Sequence, residues 1–146
     1  NKSGTFGRDA ARQMEEAYAS DYQLLNFPTG ICSRKIKGVI TDLPWQKSFI
    51  VKAVQHQRDV VPCYFAGRNS SFFYNFANFR TRIGLKMNIE MLYLVDEMFR
   101  QKGKDIEVYF GKPIPWQTFD RSKTPREWTE MVRSETYNLP KSYITG

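Results

Sequence analysis

An apolar run that ends in Pro-x-Gly and passes straight into hydroxyl and guanidinium side chains can cradle an anion. Here Tyr22 to Phe27 (YQLLNF) leads into Pro28, Thr29 and Gly30, with Ser33 and Arg34 just beyond. A glycine lets the backbone approach an anion closely. Ser33 offers one hydroxyl donor, and Arg34 a forked pair of donors matched to phosphate or carboxylate. If Tyr22–Phe27 is a strand of an open α/β sheet, residues 28–35 lie at its carboxyl end, where such sheets bind ligands. The same composition also suits a solvated turn with a charged tail.

A second cluster has the same logic. Val60-Val61-Pro62 ends an apolar run, and Gly67-Arg68-Asn69-Ser70 follows. Arg68 and Asn69 either face the same anion or cap the aromatic helix that comes next. His56 is the only histidine, and Gln57 to Val61 place no carboxylate at a His-x-x-x-x-Asp spacing after it, so a structural or solvent-facing role is expected. Cys32 as a nucleophile lacks a second histidine to serve as its base. Two isolated cysteines and one histidine make no metal-ligand spacing, so neither a metal nor a cofactor is expected.

The elements that would hold these residues alternate in type. Helices are expected over Arg8–Ser20 and from Pro44 or Trp45 to Gln57, where Asp42 would serve as the cap. Strands are expected at Tyr22–Phe27, Val60–Phe65 and Asp105–Phe110, with Pro62 forcing an edge or an end of pairing. Ser70–Phe79 reads as an aromatic helix and Asn88–Gln101 as an amphipathic one stopped by Gly103. Thr124-Pro125-Arg126-Glu127 is a capping-box start for a last helix reaching about Leu139. This order predicts a single α/β domain over residues 1–146, built on a small, mostly parallel sheet covered by helices.

Charge points to partners rather than to fold. There are 22 basic against 15 acidic residues, a net charge of +7, and aromatics form 15% of the chain. Such a balance fits nucleic acid, an anionic membrane surface or an anionic substrate. The aromatic segment 72–79, with Arg68, Arg80, Arg82 and Lys86 around it, fits either a core helix or a membrane interface. Neither a ribonucleoprotein box nor a Gly-x-x-Gly clamp is present, so nucleic acid is not expected as a partner. No run approaches the ~20 apolar residues that a spanning helix needs.

Beyond composition, Phe27-Pro28-Thr29-Gly30-Ile31-Cys32-Ser33-Arg34 resembles the third conserved block of the phospholipid/glycerol acyltransferase family, usually Phe-Pro-Glu-Gly-Thr-Arg-Ser. It is closer to the haemolysin-like and lyso-ornithine-lipid branch, typified by Phe-Pro-Ala-Gly-Glu-Val-Ser-Arg. Val60-Val61-Pro62 is similar to the fourth block. Gly67-Arg68-Asn69-Ser70 with Phe73-Tyr74 resembles that branch too, as does Val108–Ile114 (VYFGKPI). The likeness runs roughly from residue 8 to 135.

The resemblance implies transfer of a fatty acyl group from acyl carrier protein or coenzyme A to a lyso-lipid hydroxyl, by a peripheral protein on the cytoplasmic face of an inner membrane. It implies a substrate-binding set of Phe27, Pro28, Thr29, Gly30, Ser33 and Arg34, joined by Pro62, Arg68 and Asn69. Thr29 stands where many members carry Glu, so a carboxylate-bearing amino-acid lipid is as plausible an acceptor as a glycerol phosphate. In the family a His-x-x-x-x-Asp pair supplies the base. That pattern occurs nowhere in this chain, so the pair is expected upstream of residue 1 and the chain is expected to be a C-terminal portion without the catalytic histidine. A non-catalytic lipid- or anion-binding module is the alternative.

Overall fold

The computed structural model describes residues 2–84 and 92–144. The chain runs through α1 (Lys2–Ala19), β1 (Arg34–Ile36), β2 (Val39–Thr41), α2 (Ser48–Gln55), β3 (Cys63–Phe65), α3 (Ser71–Arg82), α4 (Leu94–Phe99), β4 (Val108–Phe110), a 3-10 turn at Trp116–Thr118 and α5 (Pro125–Ile144).

The expected mostly parallel sheet does not form. Among the described residues the strands make two separate antiparallel ribbons, β1 with β2 and β3 with β4. The first ribbon has a local cause. Lys37 and Gly38, both with positive φ (48° and 84°), make the tight turn that folds β1 straight back on β2. Between β3 and β4 the described residues hold α3 and α4, and the chain returns along β3 in the opposite sense, with Cys63 facing Phe110.

The strand expected at Tyr22–Phe27 is also absent. Those residues are exposed and take no strand partner, although the run is apolar enough for burial. Pro62 limits the next strand, as a residue without an N–H must. Its carbonyl accepts from Gly111 N at 2.8 Å, the ladder proper starts at Cys63, and Val60 pairs with Ile114 only as an isolated bridge. In the expected helix over Asn88–Gln101, residues 88–91 lie outside the described part, and α4 covers Leu94–Phe99.

α2 begins at Ser48, later than Pro44 or Trp45. Asp42 is not its cap, because the N-cap position falls at Lys47, five residues further on; its carboxylate instead accepts from Ser33 Oγ at 2.6 Å and Trp45 Nε1 at 3.1 Å. α5 begins where the capping box places it. Thr124 N donates to Glu127 Oε2 at 2.7 Å and Glu127 N to Thr124 Oγ1 at 3.3 Å. It continues past Leu139 through Pro140 to Ile144, although Pro140 has no N–H to give the preceding turn.

The main core joins α2 to α5. Phe49, Ile50 and Ala53 of α2 pack with Ile114, Phe119, Trp128 and Val132. A second buried patch is the inner face of α3, with Phe73, Tyr74 and Ala77. β3 and β4 lean on the far half of α5, where Tyr64 meets Tyr137 edge-on at 5.9 Å and Tyr109 meets Tyr143 at 5.2 Å.

Candidate functional site

Residues 27–34 form a pinned loop. Phe27 to Gly30 make a β-turn, with Gly30 N donating to the Phe27 carbonyl at 3.0 Å and Pro28 in the position that suits its fixed φ. Gly30 has φ +67°, a conformation that costs a glycine little. The Thr29 hydroxyl donates to the Ile31 carbonyl at 2.6 Å, and the Pro28 carbonyl accepts from Gln46 N at 3.0 Å. The loop is therefore tied both to itself and to the approach of α2.

Asp42 is the anchor of that loop. Besides Ser33 and Trp45 on its carboxylate, its backbone N donates to Tyr137 Oη at 3.1 Å. Arg133 reaches the same place from α5, with Nη2 3.2 Å from Thr41 Oγ1 and 3.4 Å from the Asp42 carbonyl, and its guanidinium lies over the Tyr137 ring at 5.1 Å. Burial first, with the Asp42 carboxylate adding to it, pushes the Tyr137 phenol above its ordinary range, so it stays protonated. The ladder sets Arg34 opposite Thr41, which seats the half-buried arginine beside this network.

The expected set divides as follows. Pro28, Thr29, Ser33 and Arg34 are half-buried, while Phe27 and Gly30 are exposed. The Ser33 hydroxyl gives its proton to Asp42, which makes it a support of the loop in this state. Pro62 is buried against Gly111. Arg68 is exposed, and its carbonyl accepts from Gln101 Nε2 at 3.0 Å. Asn69 N donates to Tyr74 Oη at 3.4 Å.

Tyr74 of α3 lies beside the second cluster, its Oη accepting from Asn69 N. Burial pushes its phenol above the ordinary range, with Cys32 and Glu97 close enough to add to that, while the Asn69 N–H and Arg68 act the other way. Glu97, itself buried, accepts from both Ser70 N and Ser70 Oγ and locks α4 to the start of α3.

His56 has a carboxylate partner far along the chain. Its Nε2 lies 2.9 Å from Glu15 Oε2, its ring stacks on Tyr18 at 5.7 Å, and Lys52 Nζ also bonds Glu15. Arg58 donates to the carbonyls of Tyr18, Ser20 and Tyr22. Together these clamp α1 to α2 beside an open cleft of about 910 Å³ lined by Tyr18, Asp21, His56, Arg58, Asp59 and Trp116. None of residues 27–34 lines it.

The Lys52 hydrogen bond, and after it the His56 one, holds the Glu15 carboxyl below its ordinary value of 4.5. The unfolded chain therefore binds more protons in that window. The clamp contributes fully above pH 4.5 and is lost as pH falls through the lowered value. Thermal melts across the acid range should thus fall more steeply for the parent than for Glu15→Gln, and parallel curves would refute the clamp.

No local pattern could have pointed to these partners. Asp42 and Tyr137 are 95 positions apart, and Glu15 and His56 are 41 apart. Cys32 and Cys63 form no disulfide, and burial pushes the Cys63 thiol up, away from a reactive thiolate. Among the described residues no group of three or more His, Cys, Asp or Glu converges on a metal position, and no helix is long and apolar enough to cross a membrane.

A pinned Phe-Pro-x-Gly loop with Arg34 seated behind it matches a family assignment made over the whole chain. The family model described as Acyltransferase matches residues 1–146, and the chain belongs to that family. It is 54% identical over 139 residues to the lyso-glycine lipid O-acyltransferase of Bacteroides thetaiotaomicron, covering 95% of this chain and 51% of that protein. It is 49% identical over 139 residues to the lyso-glycine lipid O-acyltransferase of Phocaeicola vulgatus, covering 95% of this chain and 50% of that protein. The chain thus spans about half the length of these curated relatives. No solved structure matches it.

Proposed function

We propose that this chain is the acceptor-binding part of an acyltransferase that moves a fatty acyl group onto the hydroxyl of a lyso-lipid, with a lyso-glycine lipid as the acceptor. The observation that carries the reading is the loop of residues 27–34, held in one conformation by Asp42 and backed by Arg34. The relatives' names support the acceptor, whose glycine carboxylate suits a forked guanidinium. In the reaction the acceptor hydroxyl oxygen attacks the thioester carbonyl of an acyl carrier protein or coenzyme A donor. The C–O ester bond forms, the C–S bond breaks, and the hydroxyl proton passes through a base to the departing thiol.

That base is no residue of the loop. Ser33 is committed to Asp42, and the sequence contains no His-x-x-x-x-Asp pair, so the proposal assigns proton removal to residues outside this chain. The part played here is orientation of the acceptor head, which brings the hydroxyl within reach of the donor.

Arg34→Ala in the complete enzyme should raise KM for the lyso-lipid about ten-fold or more while changing kcat little, because it removes binding shared by ground and transition states. Arg34→Lys should recover only part of the loss. Steady-state kinetics that leave KM unchanged in Arg34→Ala would reject the acceptor assignment. Direct binding of the lyso-lipid without any transfer by the complete protein would favour a non-catalytic binding module.

A further inference from the structure

The whole net charge of this protein resides in two stretches. Residues 22–41 hold three basic residues, Arg34, Lys35 and Lys37, and no acidic one. Residues 60–89 hold four, Arg68, Arg80, Arg82 and Lys86, and again no acidic one. The remaining residues carry fifteen of each sign, so the +7 comes entirely from these two segments. A uniformly solvated surface has no need of such a division.

Among the described residues the two stretches meet where β1 packs on α3. β1 lies along α3, and Asn78 Nδ2 of α3 donates to the Lys35 carbonyl at 3.0 Å. At the tip of the β1–β2 hairpin Ile36 and Val39 are exposed, Val39 by 64%, on either side of the Lys37-Gly38 turn. On α3 Arg82 follows one turn after Asn78, beside Phe79, which is 58% exposed. Ile83 extends the same apolar line one turn further, its N donating to the Phe79 carbonyl at 3.1 Å.

We propose that the β1–β2 hairpin tip and the Phe79–Ile83 end of α3 form a docking face for an anionic lipid bilayer. Apolar side chains at a tight turn enter the boundary between headgroups and acyl chains, while flanking Lys and Arg meet anionic headgroups. A face without a single carboxylate in either contributing segment is complementary to that partner. The hairpin begins at Arg34, where the loop ends, so a lyso-lipid leaving the bilayer meets the cradle without crossing bulk water. The proposal rests on the acyl-transfer reading for why a bilayer is the partner, and on charge and exposure for where it binds.

The test is co-sedimentation of the complete protein with phosphatidylcholine vesicles, with and without phosphatidylglycerol. Lys35→Gln with Lys37→Asn should weaken binding to the anionic vesicles on the order of ten- to thirty-fold at low salt. Ile36→Thr with Val39→Thr should weaken binding to both kinds of vesicle. Arg121→Gln with Arg126→Gln, an equal loss of charge elsewhere, should change neither. Matching thermal melts show that each variant is folded. Hairpin variants that bind like the parent overturn the proposal and make the face one covered by protein. Tighter binding of a single-stranded oligonucleotide than of anionic vesicles at equal salt also overturns it.

Acyl transfer separates the two readings. The hairpin variants should keep parental rates on lyso-lipid in detergent micelles and lose them on vesicles. Vesicle binding that depends on the hairpin, with no transfer in either medium, supports the docking face while rejecting the acyl-transfer reading.

Discussion

Asp42→Ala should release the residue 27–34 loop, lowering acyl transfer by the complete enzyme about ten- to a hundred-fold and stability by about 2 kcal/mol. The carboxylate takes two hydrogen bonds, from Ser33 at 2.6 Å and Trp45 at 3.1 Å, and both are of the charge-assisted kind. Alanine leaves the Ser33 hydroxyl and the indole N–H to find water, and the loop is then held to β2 only by the backbone pairing that begins at Arg34 and Thr41. Asn keeps the volume and one acceptor oxygen, so Asp42→Asn should fall between parent and alanine. Ser33→Ala, which removes only one of the bonds, should cost about 1 kcal/mol. Urea unfolding with parallel kinetics reads both effects. Parental values in Asp42→Ala would mean that the loop is held by its own turn alone.

The largest loss of stability should come from Trp128→Ala. Trp128 is 6% exposed at the start of α5, packs edge-on against Phe119 at 5.8 Å, and donates its indole N–H to the Asp120 carbonyl at 3.1 Å. It fills the seam between α5, the 3-10 turn and α2, so its removal opens a cavity that the surrounding helices cannot close. A buried Trp truncated to alanine costs roughly 3–5 kcal/mol, a large share of the 5–15 kcal/mol that a domain usually has. For a chain of this length that corresponds to a fall in melting temperature on the order of 10 °C or more. Trp128→Phe should retain most of the packing and lose much less. A shift of only a degree or two in Trp128→Ala would show that the α2–α5 core contributes little to holding the molecule together.

What could be read from the sequence was local. The capping box at Thr124–Glu127 fixes the start of α5 because both partners lie within one turn. The Pro28–Gly30 loop was legible because proline and glycine constrain their own backbone. Sheet direction was not, because the order of elements that suggested a mostly parallel sheet does not say which strand edges meet. Tyr22–Phe27 has the composition of a strand, but strand formation depends on a neighbouring edge, and the apolar pattern carries no information about one. Asp42 looked like a helix cap since a cap is its commonest local use. Its actual partners, Ser33, Trp45 and Tyr137, are set by packing, and the last is on the other side of the chain's length. The family blocks located the loop, but not what holds it.

Tyr137 joins three things at once: its ring meets Tyr64 of β3, Arg133 covers it, and its oxygen takes the Asp42 N–H. The ribbon that ends near Pro62 and the loop that ends at Arg34 therefore share one side chain of α5. Opening either one removes a partner of Tyr137, so amide exchange at Asp42 and along β3 should respond together to Tyr137→Phe and Tyr137→Ala.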